Sequence, residues 1–210
     1  MTTELFDNLL QLLVTMAGCA CSGFFYQKNR HQMYFLLTCF YGCYSLGLFY
    51  WTVYLLLFEN MPQLFYVTEI AWLSALVFLG LMQYTSSSQE ERDLWHSTMW
   101  IVPLLAAGAI AMYWNYGGGL FTAFHFALGA MLAWRSIQSL RYFVTNRKSG
   151  SRWRWFSLAV LIFVIGEAGL WISSLFWMGD SWRNPYFWFD SLLTAVLVTL
   201  LPVIKKAVEP

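Results

Sequence analysis

Seven long apolar stretches, separated by short polar breaks, constrain the fold of this chain more than any other feature of its sequence. A helix that crosses the hydrocarbon core of a membrane needs about 20 mostly apolar residues, because its backbone donors and acceptors must be satisfied within the segment. The pattern therefore predicts an all-α integral membrane protein, a single bundle of transmembrane helices. The predicted helices cover residues 5–26, 33–58, 64–85, 97–114, 120–139, 155–178 and 186–204.

The amino-acid composition excludes an ordinary soluble domain. Hydrophobic residues make up 59% of the chain and charged residues only 11%, whereas soluble domains carry about 25% charged residues. The formal net charge is +1, so no clustered basic surface for nucleic acid is expected. The lipid bilayer is the first partner that the sequence predicts.

Basic residues in the polar breaks predict the orientation, because Lys and Arg of short loops are retained in the cytoplasm. Alternate breaks hold almost all of them: Lys28, Arg30, Arg92, Arg135, Arg141, Arg147, Lys148, Arg152, Arg154, Lys205 and Lys206. The opposite side holds Arg183, Glu4, Asp7, Glu59 and Asp180. The amino terminus is therefore predicted outside and the carboxyl terminus in the cytoplasm, in a multi-pass protein of the plasma (inner) membrane. No basic residue precedes the first stretch, which is predicted as a permanent helix.

Ionisable side chains within the apolar stretches are the candidates for function. Such a group costs about 2.5 to 3.5 kcal/mol at the centre of a membrane helix, so it usually faces the bundle interior and marks a site or pathway. Glu69, His125 and Asp190 each lie roughly 7–8 Å from the outer end of their stretch at about 1.5 Å per residue. Glu167 lies near the midplane. The alternative for Glu69 and Asp190 is that they reach the outer interface.

Tryptophans accompany these acids and suggest a ligand. Trp72, Trp171 and Trp188 lie within two helical turns of a carboxyl group, and ring faces attract positive charge. The acids and rings together predict an outward-facing pocket that binds or translocates a proton or a small cationic ligand. His125 is predicted to relay a proton, the alternative being a core histidine bonded to a neighbouring helix. An ordinary interfacial belt is the alternative for the rings.

Four cysteines form a second candidate group. Cys19 and Cys21 lie late in the first stretch, and Cys39 and Cys43 lie early in the second. The short connection makes these helices antiparallel neighbours, with the thiols in the inner half. Thiolates select Cu(I) or another thiophilic ion, which makes this group a candidate metal site. The alternative is that the cysteines are small hydrophobic residues, and the sequence identifies no cofactor.

The predicted plan resembles that of the microbial rhodopsins, with seven helices, an outside amino terminus and acids in the third and seventh stretches. The resemblance is architectural, because Thr194 stands one turn after Asp190 and the seventh stretch has no lysine for a retinal Schiff base. Intramembrane ceramidase-like hydrolases also have seven helices, but they assemble zinc from several histidines. Here His125 is the one histidine within a predicted helix.

Two other functions are open alternatives to ligand binding. A heptahelical sensor or accessory subunit would signal through its cytoplasmic loops to a separate cytoplasmic or membrane protein partner. An intramembrane enzyme would use Glu167, Asp190 and His125 as acid, base or metal ligands, but the sequence has no spaced ligand motif for such chemistry. No catalytic residue is predicted.

Overall fold

Helices form every regular element in the part of the chain that the structure describes. The computed structural model describes residues 3–58, 66–116, 119–145, 152–177, 179 and 181–209. Its α-helices are α1 (Thr3–Asn29), α2 (Gln32–Phe58), α3 (Tyr66–Ser86), α4 (Gln89–Arg92), α5 (Ile101–Asn115), α6 (Leu120–Thr145), α7 (Arg154–Phe176) and α8 (Pro185–Val208). The predicted all-α class is confirmed. The loop residues Glu59, Arg147, Lys148 and Asp180 lie outside the described residues.

Six of these helices, α1, α2, α3, α6, α7 and α8, are long and apolar enough to cross a membrane. The chain is thus a polytopic helical membrane protein. The fourth predicted stretch, 97–114, differs from the others, because its α-helix α5 has 15 residues and is preceded by a 3-10 turn, Ser97–Trp100.

Pro103 explains this division of the fourth stretch. It occupies the first turn of α5, where a missing backbone N–H costs nothing because that donor has no intrahelical partner. In a continuous α-helix through residues 97–114, residue 103 would have to donate a backbone N–H to the carbonyl of Met99, and proline has no such N–H. The chain instead takes the tighter 3-10 geometry before residue 101, as short connectors often do.

Contacts between neighbours arrange the six long helices in a ring in the order α1, α2, α3, α6, α7 and α8, with α8 returning to α1. Helices α1 and α8 are parallel, because Gln11 bonds Asp190 near their starts and Asn29 bonds Glu209 near their ends. Helices α3 and α6 are also parallel neighbours. Helix α5 packs against α6.

The bundle therefore has two distinct ends. We call the end where α1 and α8 begin the acidic end, and the end where they finish the basic end. An apolar layer separates them, with Phe40, Leu79, Phe163 and Leu193 all fully buried. The rings of Phe40 and Phe163 meet edge to face at 6.0 Å, a favoured aromatic geometry.

Several helices extend beyond their predicted apolar stretches at the basic end. Helix α6 continues to Thr145 rather than 139, and α8 continues to Val208 rather than 204. Apolarity predicts the membrane-buried length, whereas a helix ends where its backbone hydrogen bonds stop. Lys205 and Lys206 therefore belong to the last turn of α8, where positive charge complements the helix dipole.

Candidate functional site

Two buried aspartates meet between α1 and α8 at the acidic end. Asp7 is 2% exposed and Asp190 is 4% exposed, and their carboxyl groups lie within hydrogen-bond reach of each other. Asp7 stands in the second turn of α1 and Asp190 in the second turn of α8. Because the two helices are parallel, their second turns lie at the same depth and the carboxyl groups face one another. We call these residues the acid pair.

An amide from the next turn of α1 orients the acid pair. Gln11 donates from Nε2 to Oδ1 of Asp190 at 2.6 Å and to Oγ1 of Thr194 at 3.2 Å. The Thr194 hydroxyl in turn donates to the backbone carbonyl of Asp190 at 3.1 Å. The Oδ2 atom of Asp7 is buried, and no donor among the described residues bonds it. The acid pair thus has one oxygen for which the surrounding side chains supply no donor.

The charge of the acid pair is not balanced by a basic side chain. Within the described residues, no lysine or arginine forms an ion pair with Asp7 or Asp190. Two ionised carboxylates in contact and away from water repel each other strongly, so such pairs hold one negative charge and share one proton unless a cation bridges them. Two such carboxyl groups are chemically capable of holding a proton or a small cation.

A second group of ionisable residues lies next to the acid pair. Glu167 of α7 accepts a hydrogen bond from the Tyr44 hydroxyl at 3.0 Å and lies 3.4 Å from Nε2 of His125. The side chains of His125 and Glu167 are only 10% and 12% exposed. We call Tyr44, Glu167 and His125 the Glu167 group. Tyr44 lies within electrostatic range of both Glu167 and Asp190.

Two tryptophan rings pack against the Glu167 group. The Trp171 ring lies 5.2 Å from the His125 ring, and the Trp72 ring lies 6.4 Å from Tyr44. The Nε1 donor of Trp72 is buried and has no hydrogen-bond partner in the part of the chain that the structure describes. Glu69 is half-buried at the start of α3, and its carboxylate interacts electrostatically with His125. Glu69, Trp72, His125, Glu167 and Trp171 thus come together.

Trp188 lies apart from this set. Its side chain is 65% exposed, and its Nε1 donates to the backbone carbonyl of Trp182 at 3.0 Å. Neighbouring positions on a helix point in different directions, so Asp190 faces the interior while Trp188, two residues earlier, faces outward. The Trp188 ring occupies the surface of the bundle, where interfacial tryptophans are common.

The four cysteines are all free thiols. Cys21 is exposed, and the Cys19 thiol lies 3.6 Å from the Thr38 carbonyl oxygen. Within the described residues, no three side chains of His, Cys, Asp or Glu come together in a way that would hold a metal ion. The geometry therefore lends no support to the predicted alternative of a thiophilic metal site at Cys39 and Cys43.

Sequence reasoning missed Asp7, Gln11 and Tyr44. A signal for the first two exists, because the polar residues Asp7, Gln11 and Thr15 recur at helical spacing and all lie buried in α1. A polar stripe at that spacing defines one helix face. Leu13 of the same helix is 64% exposed, so α1 turns its polar face inward and its apolar face outward. No comparable signal marks Tyr44, one of 12 tyrosines.

A separate polar group at the basic end holds α4 against α6. Gln138 donates from Nε2 to the backbone carbonyls of Arg92 at 2.9 Å and Leu94 at 2.7 Å. Glu91 of α4 is 7% exposed. Burial raises the pKa of its carboxyl group, while a hydrogen bond with Ser139 acts in the opposite direction. This group fastens the connection between α3 and α5 and lies far from the acid pair.

Comparisons with known proteins do not extend this description. No protein-family model matches the sequence, and no curated protein or solved structure matches it. The function is therefore inferred from the geometry of the acid pair and the Glu167 group.

Proposed function

We propose that this polytopic membrane protein binds a proton, as the simplest cationic ligand, in the acid pair at its acidic end. The observation that carries the proposal is the contact of two buried carboxyl groups with no basic partner among the described residues. A proton satisfies this geometry directly, since it turns one carboxylate into a donor for the other. A small cation between Asp7 and Asp190 is the second ligand compatible with the same charge.

The Glu167 group is proposed to exchange protons with the acid pair. The Tyr44 hydroxyl donates to Glu167 and lies within electrostatic range of Asp190. His125 faces the other carboxylate oxygen of Glu167, and a histidine changes charge near neutral pH more readily than other side chains. The proposed relay passes laterally from α8 through α2 and α7 to α6.

The position of these groups favours binding over translocation. The acid pair lies in the acidic half of the bundle and the Glu167 group reaches its middle, while the buried rings of Phe40 and Phe163 stand one helical turn nearer the basic end. Polar groups that carry ions across a membrane form a path through its full depth. A site in one half instead suits a protein that senses the ligand from one side.

Sensing is the second candidate function, and the pairing of α1 with α8 favours it. Helices α1 and α8 share the acid pair at one end and are joined at the other, where Asn29 donates to Glu209 at 2.6 Å. A change in charge between Asp7 and Asp190 would alter the spacing of two helices that reach the basic end. A partner protein docked there would detect the movement, as an accessory subunit requires.

We further propose seven crossings, with the acidic end outside and the basic end in the cytoplasm. Helices α3 and α6 are parallel, since Gln83 of α3 bonds Ser136 at the matching depth of α6, so the chain between them must return across the bundle. The 3-10 turn and α5 together span roughly 30 Å at about 2.0 and 1.5 Å per residue, close to the hydrocarbon thickness. Thiol labelling by a membrane-impermeant reagent in a cysteine-free background tests this. Arg183→Cys should react in intact cells and Arg92→Cys only after lysis.

Infrared spectroscopy tests the proton site directly. A protonated carboxylic acid has a carbonyl-stretch band that a carboxylate lacks, and the purified protein should show this band at neutral pH. Asp7→Asn and Asp190→Asn should each remove it, because either change leaves a single carboxylate with an amide donor beside it. Glu90→Gln, which alters an exposed carboxylate in α4, should leave the band unchanged. A band absent from the wild type, or one that survives both aspartate changes, would disprove the shared proton.

A further inference from the structure

A cavity of about 370 Å³ opens at the basic end, between the last turns of α1 and α8. Four side chains with nitrogen donors line it: Lys28, Asn29, His31 and Lys205. Phe25 and Val208 supply an apolar wall on the same cavity. The cavity is therefore cationic on one part of its lining and apolar on another.

A sharp turn of the backbone brings these residues together. Helix α1 ends at Asn29, Arg30 adopts φ 52°, and α2 begins at Gln32. The left-handed conformation at Arg30 reverses the chain within two residues, so His31 stands beside the last turn of α1. The backbone N–H of Met33 donates to Nδ1 of His31 at 3.2 Å. The other ring nitrogen, Nε2, then carries the hydrogen and acts as a donor.

The positive charges of this cavity have no carboxylate partner among the described residues. Lys205 lies 4.6 Å from the centre of the Phe25 ring, and neither Lys205 nor Lys28 forms an ion pair in the described part of the chain. The one acid on the lining, Glu209, already accepts hydrogen bonds from Asn29 at 2.6 Å and from the Tyr34 hydroxyl at 2.9 Å. Two ammonium groups thus face the cavity without an ion pair among the described residues, and Glu209 adds one negative charge to the same lining.

We propose that this cavity binds the phosphate of an anionic phospholipid. Membrane-spanning helices place their last turns at the level of the lipid headgroups, so the phosphate of a neighbouring lipid lies at the right depth to meet Lys28 and Lys205. Basic pockets between transmembrane helices bind anionic headgroups in this way. Phe25 and Val208 suit the glycerol and the first methylenes of the acyl chains.

Lysines near helix ends also serve a general role, which the experiment must separate from specific binding. They complement the negative end of the helix dipole and hold the orientation of the protein in the membrane. Lys206 can fulfil that role too, because it lies in the same turn of α8 as Lys205 and is also exposed. It does not line the cavity. Lys206 therefore provides a matched control.

The test measures the thermal midpoint of the purified full-length protein in a neutral detergent as phosphatidylglycerol is added, with phosphatidylcholine and inorganic phosphate as separate arms. Phosphatidylglycerol should raise the midpoint, and the other two should not. Lys28→Gln and Lys205→Gln should each increase the half-saturating lipid concentration roughly fivefold, which corresponds to about 1 kcal/mol per basic residue. Lys206→Gln should leave that concentration unchanged.

Three results would overturn the proposal. One is an equal response to phosphatidylglycerol and phosphatidylcholine, and another is an equal loss in Lys205→Gln and Lys206→Gln. A third is the same stabilisation by inorganic phosphate alone, which would identify a free anion as the ligand. If a variant fails to fold, a salt series on the wild type still decides the matter. Raising the salt concentration should remove the phosphatidylglycerol effect, because screening weakens contacts between charged groups.

Discussion

The shared proton of the acid pair predicts a specific dependence of stability on pH. In the proposed site the folded pair retains one proton at neutral pH, whereas unfolded aspartates, with an ordinary pKa of about 3.9, have lost theirs above about pH 5. The folded state therefore binds one proton more than the unfolded state. Under that condition the free energy of unfolding falls as pH rises, by about 1.4 kcal/mol per pH unit. Between pH 5 and pH 7 the acid pair should reduce stability by about 2.8 kcal/mol.

Asp7→Asn should remove this dependence. The Asn side chain has the shape of Asp, and its amide can donate to the Asp190 carboxylate, so the contact between α1 and α8 is kept without a proton. The free energy of unfolding in mixed detergent micelles, measured at several pH values, checks this. The wild-type slope minus the Asp7→Asn slope should correspond to about one proton, or about 1.4 kcal/mol per pH unit.

The control is Glu90→Gln, which removes an exposed carboxylate bonded to the Tyr142 hydroxyl at 2.9 Å and should leave the slope as in the wild type. Parallel curves for the wild type and Asp7→Asn would refute the shared proton. So would a wild-type stability that rises with pH relative to Asp7→Asn, since it would mean that both aspartates are ionised in the folded state and are stabilised there by a cation.

Two further predictions concern the rest of the bundle. Burial raises the pKa of Glu91 above its usual 4.5, so its favourable contribution is complete below that value and is lost as pH rises through the raised pKa. Glu91→Gln should therefore stabilise the protein at neutral pH but not at pH 4, as unfolding at both pH values would show. Gly18→Ala would place a Cβ 2.8 Å from the ring of Tyr41 and should cost about 1–3 kcal/mol. Gly23→Ala meets only Thr38 at 3.7 Å, so it should change stability by less than about 1 kcal/mol; equal effects of the two glycine changes would contradict the packing at Gly18.

The helices could be predicted because their backbone hydrogen bonds are local. Each apolar stretch must form a helix to satisfy its own backbone in lipid, whatever its neighbours are. The prediction erred in detail where local chemistry overrides apolarity, as at Pro103, which divides the fourth stretch. The ends of α6 and α8 were also missed, since polar residues continue a helix after its apolar part has stopped.

The candidate site was predictable in part. Glu167, His125 and Asp190 were identified because an ionisable group in an apolar helix is costly and requires a partner. The identity of the partners was not accessible. Asp190 was expected near Glu69 and His125 at a shared depth, whereas its closest contacts are Gln11 and Asp7. The depth of a side chain in the membrane can be obtained by counting residues along its helix. The rotation of that helix about its axis, and the identity of the neighbouring helices, cannot be obtained in this way.

The sequence by itself determined that this chain forms apolar helices for a membrane, and that a few acids within them need partners. Only the tertiary structure decided that α8 lies beside α1, and hence that Asp190 meets Asp7 rather than a basic side chain. The physical reason is the range of the interactions. Backbone hydrogen bonds act within one segment, whereas the order of helices in the ring depends on side-chain packing between residues about 180 positions apart, as in the 179-residue separation of Gln11 and Asp190.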